Sequence, residues 1–198
     1  MIRNLFFDIY NVVVGFDKKK QIKLNYLNED DLQFISEMFG RGLWNDCDLG
    51  KYYGKSELIG DLINVYPERE TQIRKIFSRP WSTYMKPYEP VYKHFKELST
   101  KYNLYFLSNI SQEEFDFVLS QPWSQYFTGH YCSFEAHCMK PDIEIYKGIL
   151  NKYDLKAEEC LFIDDLEENL KAAETIGIKA KKYDLKTDDF DQIKKSLM

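Results

Sequence analysis

The sequence predicts an α/β fold: an open, mostly parallel sheet with helices on both faces, and a smaller helical unit inserted near its start. Three observations carry this. Three short apolar runs, Leu5-Phe6-Phe7, Leu104-Tyr105-Phe106-Leu107 and Leu161-Phe162-Ile163, are rich in aromatic and branched side chains, as parallel strands buried on both faces are. Helical patterns lie between and after them, which implies right-handed crossovers. Each run also stops on polar residues: Asp8 after the first, Ser108 and Asn109 after the second, Asp164 and Asp165 after the third. Ligands of such sheets sit outside the carboxyl ends of the strands, so these positions form the first candidate site.

The elements follow in order. Asp8 and Ser108 lie 100 residues apart, whereas a strand–helix–strand unit takes roughly 30. Residues 16–85 therefore read as an insertion with its own helices. Asn28 is placed to cap a segment carrying Leu32, Phe34, Ile35, Met38 and Phe39, and further helical patterns cover about 55–65 and 67–79. The expected organisation is an α/β core of residues 1–15 and 86–198 and a helical cap of residues 16–85. In the core, helical patterns cover 90–101, 112–121, 142–152, 166–176 and 187–197. Ser111-x-x-Glu114 has the form of a capping box, and Pro141 is expected as the first residue of a helix with Asp142 and Glu144 in its opening turn.

Composition narrows the function. The 198 residues carry 27 basic and 32 acidic side chains, a net charge of −5, which argues against a nucleic-acid binder held by a broad cationic face. The inserted region holds 11 of each sign and has no net charge to steer a polyanion. No apolar run approaches the ~20 residues of a membrane span, and the N-terminal MIRNLFFDIYNVVV lacks the pattern of a signal peptide. The cysteines Cys47, Cys132, Cys138 and Cys160 show no CxxC spacing and read as reduced thiols. A cytoplasmic globular protein, monomer or homodimer, with no nucleic-acid or membrane partner is the expectation.

Asp8, Asp164 and Asp165 converge at one sheet edge in this topology. Two carboxylates 4 Å apart repel by roughly 4 kcal/mol at an effective dielectric of 20, so three together call for a cation, a proton or extensive hydrogen bonding. An all-oxygen site suits a hard ion, and Mg²⁺ suits one that keeps waters and a substrate phosphate as ligands. Asp8 is placed to act as a nucleophile towards phosphorus. Ser108 and Asn109 offer a hydroxyl and backbone N–H groups to a phosphoryl oxygen, and Lys140 supplies a point charge against the phosphate.

FFDIYNVVV, YFLSN, KPDIEIY and LFIDDLEEN, in that order, resemble the four motifs of the haloacid dehalogenase superfamily, chiefly its phosphatase branch. The resemblance covers residues 1–15 and about 86–185. It implies a Rossmann-like core with a helical cap inserted after the first strand, and a Mg²⁺-dependent phosphatase acting on a small phosphorylated metabolite, sugar phosphates among the candidates. By resemblance, Asp8 forms an aspartyl-phosphate, Ser108 binds phosphate and Lys140 is the lysine of the third motif. Asp165 is the more direct metal ligand, Asp164 ligates the metal or a metal-bound water, the backbone carbonyl of Tyr10 is a further ligand, and Asn169 supports the acidic loop.

One position departs from that pattern. Phosphatases of this family usually place a second aspartate two residues after the nucleophile as general acid and base; here it is Tyr10. General acid–base catalysis is worth roughly 10²–10⁴-fold. Three readings stay open: a phosphatase that works without that acid, a metal-independent 2-haloacid dehalogenase, and a catalytically impaired ligand-binding protein. The acidic Asp164-Asp165 pair favours the first. Trp44, Tyr52, Tyr53, Trp81 and Tyr84 are expected as cap core rather than substrate wall, Lys18-Lys19-Lys20 as a solvated face at the cap mouth, and His94, His130 and His137 as structural.

Overall fold

The computed structural model describes residues 1–197. Among them, five strands form one parallel sheet: β1 (Asn4–Phe7), β4 (Asn103–Ser108), β5 (Gly129–Cys132), β6 (Cys160–Asp164) and β7 (Lys179–Lys182), in the order β5-β4-β1-β6-β7. A two-stranded antiparallel ribbon pairs β2 (Val14–Phe16) with β3 (Met85–Pro87). The central strands alternate their side chains between two apolar layers. Leu5, Phe7, Leu104, Phe106 and Ile163 pack with Val91, Phe95, Phe115, Val118 and Phe190 on one face. Phe6, Tyr105, Leu107 and Phe162 pack with Ile145, Tyr146, Ile149, Leu170 and Ala173 on the other. Both faces are covered by helices, and this is why the strand sequences are apolar throughout rather than alternating.

β5 and β7 have no apolar run to announce them. β5 reads Gly-His-Tyr-Cys and β7 reads Lys-Ala-Lys-Lys. Both are edge strands, where lysines and polar side chains keep the open ladder solvated. The helical stretch expected at 90–101 is two short helices, Glu89–Tyr92 and Phe95–Leu98, because the His94 amide bonds back only three residues, to Val91. The helix expected to open on Pro141 instead runs Ile143–Lys152, with Asp142 as its cap accepting from the Glu144 amide at 3.0 Å. A carboxylate acceptor at the cap position outcompetes a proline at the first turn as the start signal. The Ser111–Glu114 capping box is present, the Glu114 carboxylate taking both the Ser111 amide and hydroxyl.

Between β2 and β3 the chain is helical: Lys18–Asn25, Glu29–Gly40, Asn45–Asp48, Ile59–Val65 and Glu70–Ile76. Asn28 caps the second of these and shares a capping box with Asp31. Residues of this region alone build a separate apolar cluster, with Phe34, Met38, Trp44, Ile73, Ile76, Trp81 and Tyr84 at its centre. Its loop at 49–54 lies directly on the α/β layer. A Cβ on Gly50, whose φ is +79°, would meet the Phe134 carbonyl oxygen at 2.2 Å, and one on Gly54 would meet the Glu113 carboxylate at 2.2 Å.

Candidate active site

After β1 the chain turns sharply over the sheet edge, the Ile9 carbonyl accepting from the Val13 and Val14 amides at 2.9 and 2.8 Å. Asn11 sits in the left-handed region at φ 58°, a conformation asparagine tolerates, and its amide donates to Asp165 Oδ2 at 3.0 Å. β1 and β6 are adjacent, with Phe7 opposite Ile163, so Asp8 and the Asp164-Asp165 turn come out side by side. One carboxylate oxygen from each of Asp8, Asp164 and Asp165 lies within 4.8 Å of the others.

Lys140 bridges two of them. Its Nζ lies 2.9 Å from Asp8 Oδ1 and 2.7 Å from Asp164 Oδ2, and both Lys140 and Asp164 are buried. Ser108 Oγ donates to Asp8 Oδ1 at 2.6 Å, and the Ile9 amide donates to the same oxygen at 2.7 Å. Asp164 also accepts from Asn169 Nδ2, at 3.1 Å to each carboxylate oxygen, and from the Leu166 amide at 2.7 Å. Asn109 faces Lys140 through its side chain: its Nδ2 donates to the Lys140 carbonyl at 2.9 Å and its Oδ1 accepts the Lys140 amide at 2.8 Å. That reciprocal pair locks the two loops together, leaving only the Asn109 backbone as a group to meet a phosphate.

The electrostatics follow from burial. Asp8 is pushed up to about 7, chiefly by desolvation, with Asp164 adding to the rise and Lys140 and Ser108 opposing it. Burial and Asp164 likewise raise Asp165. Burial works against the charge on Lys140, yet Asp8 and Asp164 hold its ammonium protonated. Three carboxylates facing one lysine leave an uncompensated negative charge in a poorly solvated site, the condition under which a divalent cation binds well.

Tyr10 does not point its hydroxyl at the carboxylates. It donates to Glu114 Oε1 at 2.6 Å, and burial with Glu114 raises its pKa well above the usual phenol value. Glu114 continues into a buried charged cluster at the junction with the helical region: Lys55 Nζ lies 3.5 Å from Glu114 Oε2 and 2.5 Å from Asp48 Oδ1. Sequence reading missed Asn11, Asp48, Lys55 and Glu114 as neighbours of the site. Glu114 carried a signal only as a helix N-terminal acceptor, and Asp48 and Lys55 of the helical region carried none.

A cavity of about 500 Å³ opens beside these residues, with Tyr10, Asn11 and Asn109 at its base and the helical region as its wall. Of the five aromatic residues expected as cap core, Trp44, Trp81 and Tyr84 are buried there. Trp81, however, also lines the cavity, and Tyr53 is exposed, its hydroxyl 2.8 Å from Asp116. A ring at the inner edge of a small helical cluster serves both surfaces. Lys18, Lys19 and Lys20 are exposed, with Lys18 on the cavity wall. No helix among the described residues is long and apolar enough to cross a membrane.

Comparison with known proteins agrees with this fold. A haloacid dehalogenase family enzyme of Bacteroides thetaiotaomicron, solved in complex with magnesium and inorganic phosphate, is 23% identical and superimposes with a TM-score of 0.77 over 98% of this chain and 99% of its own. A HAD-like family hydrolase of Porphyromonas gingivalis, also 23% identical, does so with a TM-score of 0.78 over 100% and 98%. At that identity the likeness speaks for the fold. Sesquiterpene phosphatase astK of Aspergillus oryzae is 32% identical over 76 residues, 38% of this chain, and the match spans 39% of the length of that relative. The sequence model for haloacid dehalogenase-like hydrolases matches residues 24–181. With the ordered motifs converging on one sheet edge and the family match covering most of its length, the chain belongs to the haloacid dehalogenase-like hydrolases.

Proposed function

We propose that this chain is a Mg²⁺-dependent phosphatase that hydrolyses the phosphomonoester of a small metabolite through an aspartyl-phosphate on Asp8. The observation that carries the reading is the gathering of Asp8, Asp164 and Asp165 within 4.8 Å against the single cation of Lys140. The donor set, all oxygen and net negative, fits Mg²⁺. Asp8, Asp165 and the Tyr10 carbonyl would hold it, with Asp164 ligating directly or through water. When bound, the ion supplies Lewis-acid stabilisation of the phosphoryl oxygens.

The remaining chemistry belongs to the chain. The Ile9 amide, Ser108 and Lys140 all engage Asp8 Oδ1, which orients the carboxylate with Oδ2 free to attack phosphorus. The bond from phosphorus to the leaving oxygen then breaks. Water subsequently attacks the phosphorus of the acyl phosphate, releasing inorganic phosphate and restoring the Asp8 carboxylate. Ser108 and Lys140 are the proposed phosphate-binding side chains, with the Asn109 backbone beside them, and Asn169 is the proposed support of the acidic turn. Residues 16–85 serve in this reading as a cap that closes over the substrate and limits water.

The Tyr10 phenol is committed to Glu114, so substrates whose leaving group needs little protonation, such as acyl, aryl or anomeric sugar phosphates, are favoured. A cytoplasmic location completes the reading and is supported by four free cysteines, three of them buried. A phosphate-release screen over these esters with and without Mg²⁺, with Asp8→Asn as control, tests it. Mg²⁺-dependent release lost in Asp8→Asn is expected; metal-independent halide release from a 2-haloacid, or no turnover by the wild-type chain, would overturn it.

A further inference from the structure

The cavity that adjoins the site through Tyr10, Asn11 and Asn109 says more about the group carried by the phosphate. Its apolar wall from the helical region is Phe16, Leu32, Ile35, Phe39 and Trp81, with Lys18, Gln21, Ser36, Asp48 and Lys55 as the polar remainder. Phe16 and Trp81 stack with ring centroids 5.3 Å apart and planes 28° from parallel, which puts aromatic surface on this wall. Phe39 is 52% exposed, an apolar ring left facing the opening. Of the charged wall residues, Lys55 is engaged with Asp48 and Glu114, and Glu114 with Tyr10, which leaves Lys18 at the exposed rim. One lining side chain has an unmet need. Gln21 is 2% exposed, and its Nε2 has no hydrogen-bond partner among the described residues. A buried amide donor without an acceptor is costly, and the terminal torsion of a glutamine is broad enough to turn that donor towards a neighbour.

We propose that this cavity is a specificity pocket for the organic group of a phosphate monoester that is predominantly apolar and carries one hydrogen-bond acceptor, received by Gln21. The proposal rests on the phosphatase reading for the fate of the phosphate. Among the esters favoured by their leaving groups, a sugar phosphate would bring several hydroxyls into this space, each losing water, where Lys18, Ser36 and Gln21 offer fewer partners than those hydroxyls need. An alkyl or aryl group gains from the same surface in proportion to the area it covers. The volume, about 500 Å³, lies within the ~300–1,000 Å³ range of small-molecule sites.

Two measurements separate the pocket from the reaction. The first is calorimetric binding of n-alkylphosphonates of two to eight carbons to the full chain in the presence of Mg²⁺, a series that needs no turnover. The affinity is expected to rise about three- to fourfold for each added methylene until the cavity is filled. Phe39→Ser, at a half-exposed position where folding is least at risk, is expected to flatten that slope. The second compares phenyl phosphate with 4-acylphenyl and 4-alkylphenyl phosphates in wild type and Gln21→Leu. Gln21→Leu is expected to reduce kcat/KM about tenfold for the acyl compound relative to its alkyl twin. An affinity independent of chain length, or absent throughout, would overturn the apolar pocket; an equal effect of Gln21→Leu on both twins would remove Gln21 from it. Chain-length-dependent binding without turnover of any ester would leave the pocket standing and overturn the phosphatase instead.

Discussion

Lys55→Met takes a cation from between two carboxylates that have no other cationic neighbour within ion-pair reach among the described residues. The Lys55 side chain is 5% exposed, with Asp48 Oδ1 at 2.5 Å and Glu114 Oε2 at 3.5 Å; the Glu114 side chain is 1% exposed and that of Asp48 20%. Breaking a buried pair by deleting one partner costs about 3–5 kcal/mol. Asp48 retains some water, so the lower end applies, and about 3 kcal/mol is expected. For a chain of this size that corresponds to a fall in Tm of about 6–12 °C.

The loss has a definite pH dependence. Burial already raises the Asp48 pKa, and Lys55 is the main influence lowering it; without Lys55 it rises further. A carboxyl whose pKa is higher folded than unfolded contributes stability that is full below its unfolded pKa and lost as pH rises through its folded pKa. The penalty should therefore be smaller at pH 5 than at pH 7.5. Urea unfolding of wild type and Lys55→Met at both values measures it, and adding Asp48→Asn and Glu114→Gln to Lys55→Met should recover at least half of the loss. A penalty below about 1 kcal/mol, or one of equal size at both pH values, would refute the electrostatic account of this junction.

Three further outcomes follow from the geometry. Gly50→Ala forces a side chain into a φ of +79° and against the Phe134 carbonyl, and should cost more than about 1 kcal/mol in thermal or urea unfolding. Asn169→Ala removes the Nδ2 donor shared between the two oxygens of buried Asp164; unfolding should show a loss of about 1–3 kcal/mol, and calorimetry a 10–100-fold weaker Mg²⁺ affinity of the order seen when partners of metal ligands are lost. Tyr10→Asp should raise kcat for alkyl phosphates by roughly 10²-fold or more while changing aryl phosphates little; an equal change for both would show that proton supply to the leaving group is not what the wild type lacks.

The motif residues were legible because the chemistry of a parallel sheet edge is written locally. Leu5-Phe6-Phe7 before Asp8, and Leu161-Phe162-Ile163 before Asp164-Asp165, each show a strand and its polar end in a few consecutive residues, and β1 and β6 then lie side by side. The edge strands β5 and β7 were not legible, since at an edge the ladder is protected by polarity and not by burial. The helix start at Ile143 was misread from Pro141 because two start signals compete in one turn, and geometry chose the Asp142 carboxylate.

The local sequence determined the α/β class and a helical stretch after the first strand, and it singled out Asp8, Ser108, Lys140, Asp164 and Asp165, which the fold gathers at one sheet edge. Tertiary structure alone decided that Tyr10 turns to Glu114, that Lys55 and Asp48 from the helical region complete that buried cluster, and that Gln21, Phe39 and Trp81 line the same cavity as Tyr10, Asn11 and Asn109. The division has a physical reason. Strand ends and helix caps depend on neighbours a few residues away, whereas a cavity wall is set by how two apolar clusters settle against each other, through contacts that no spacing along the chain records.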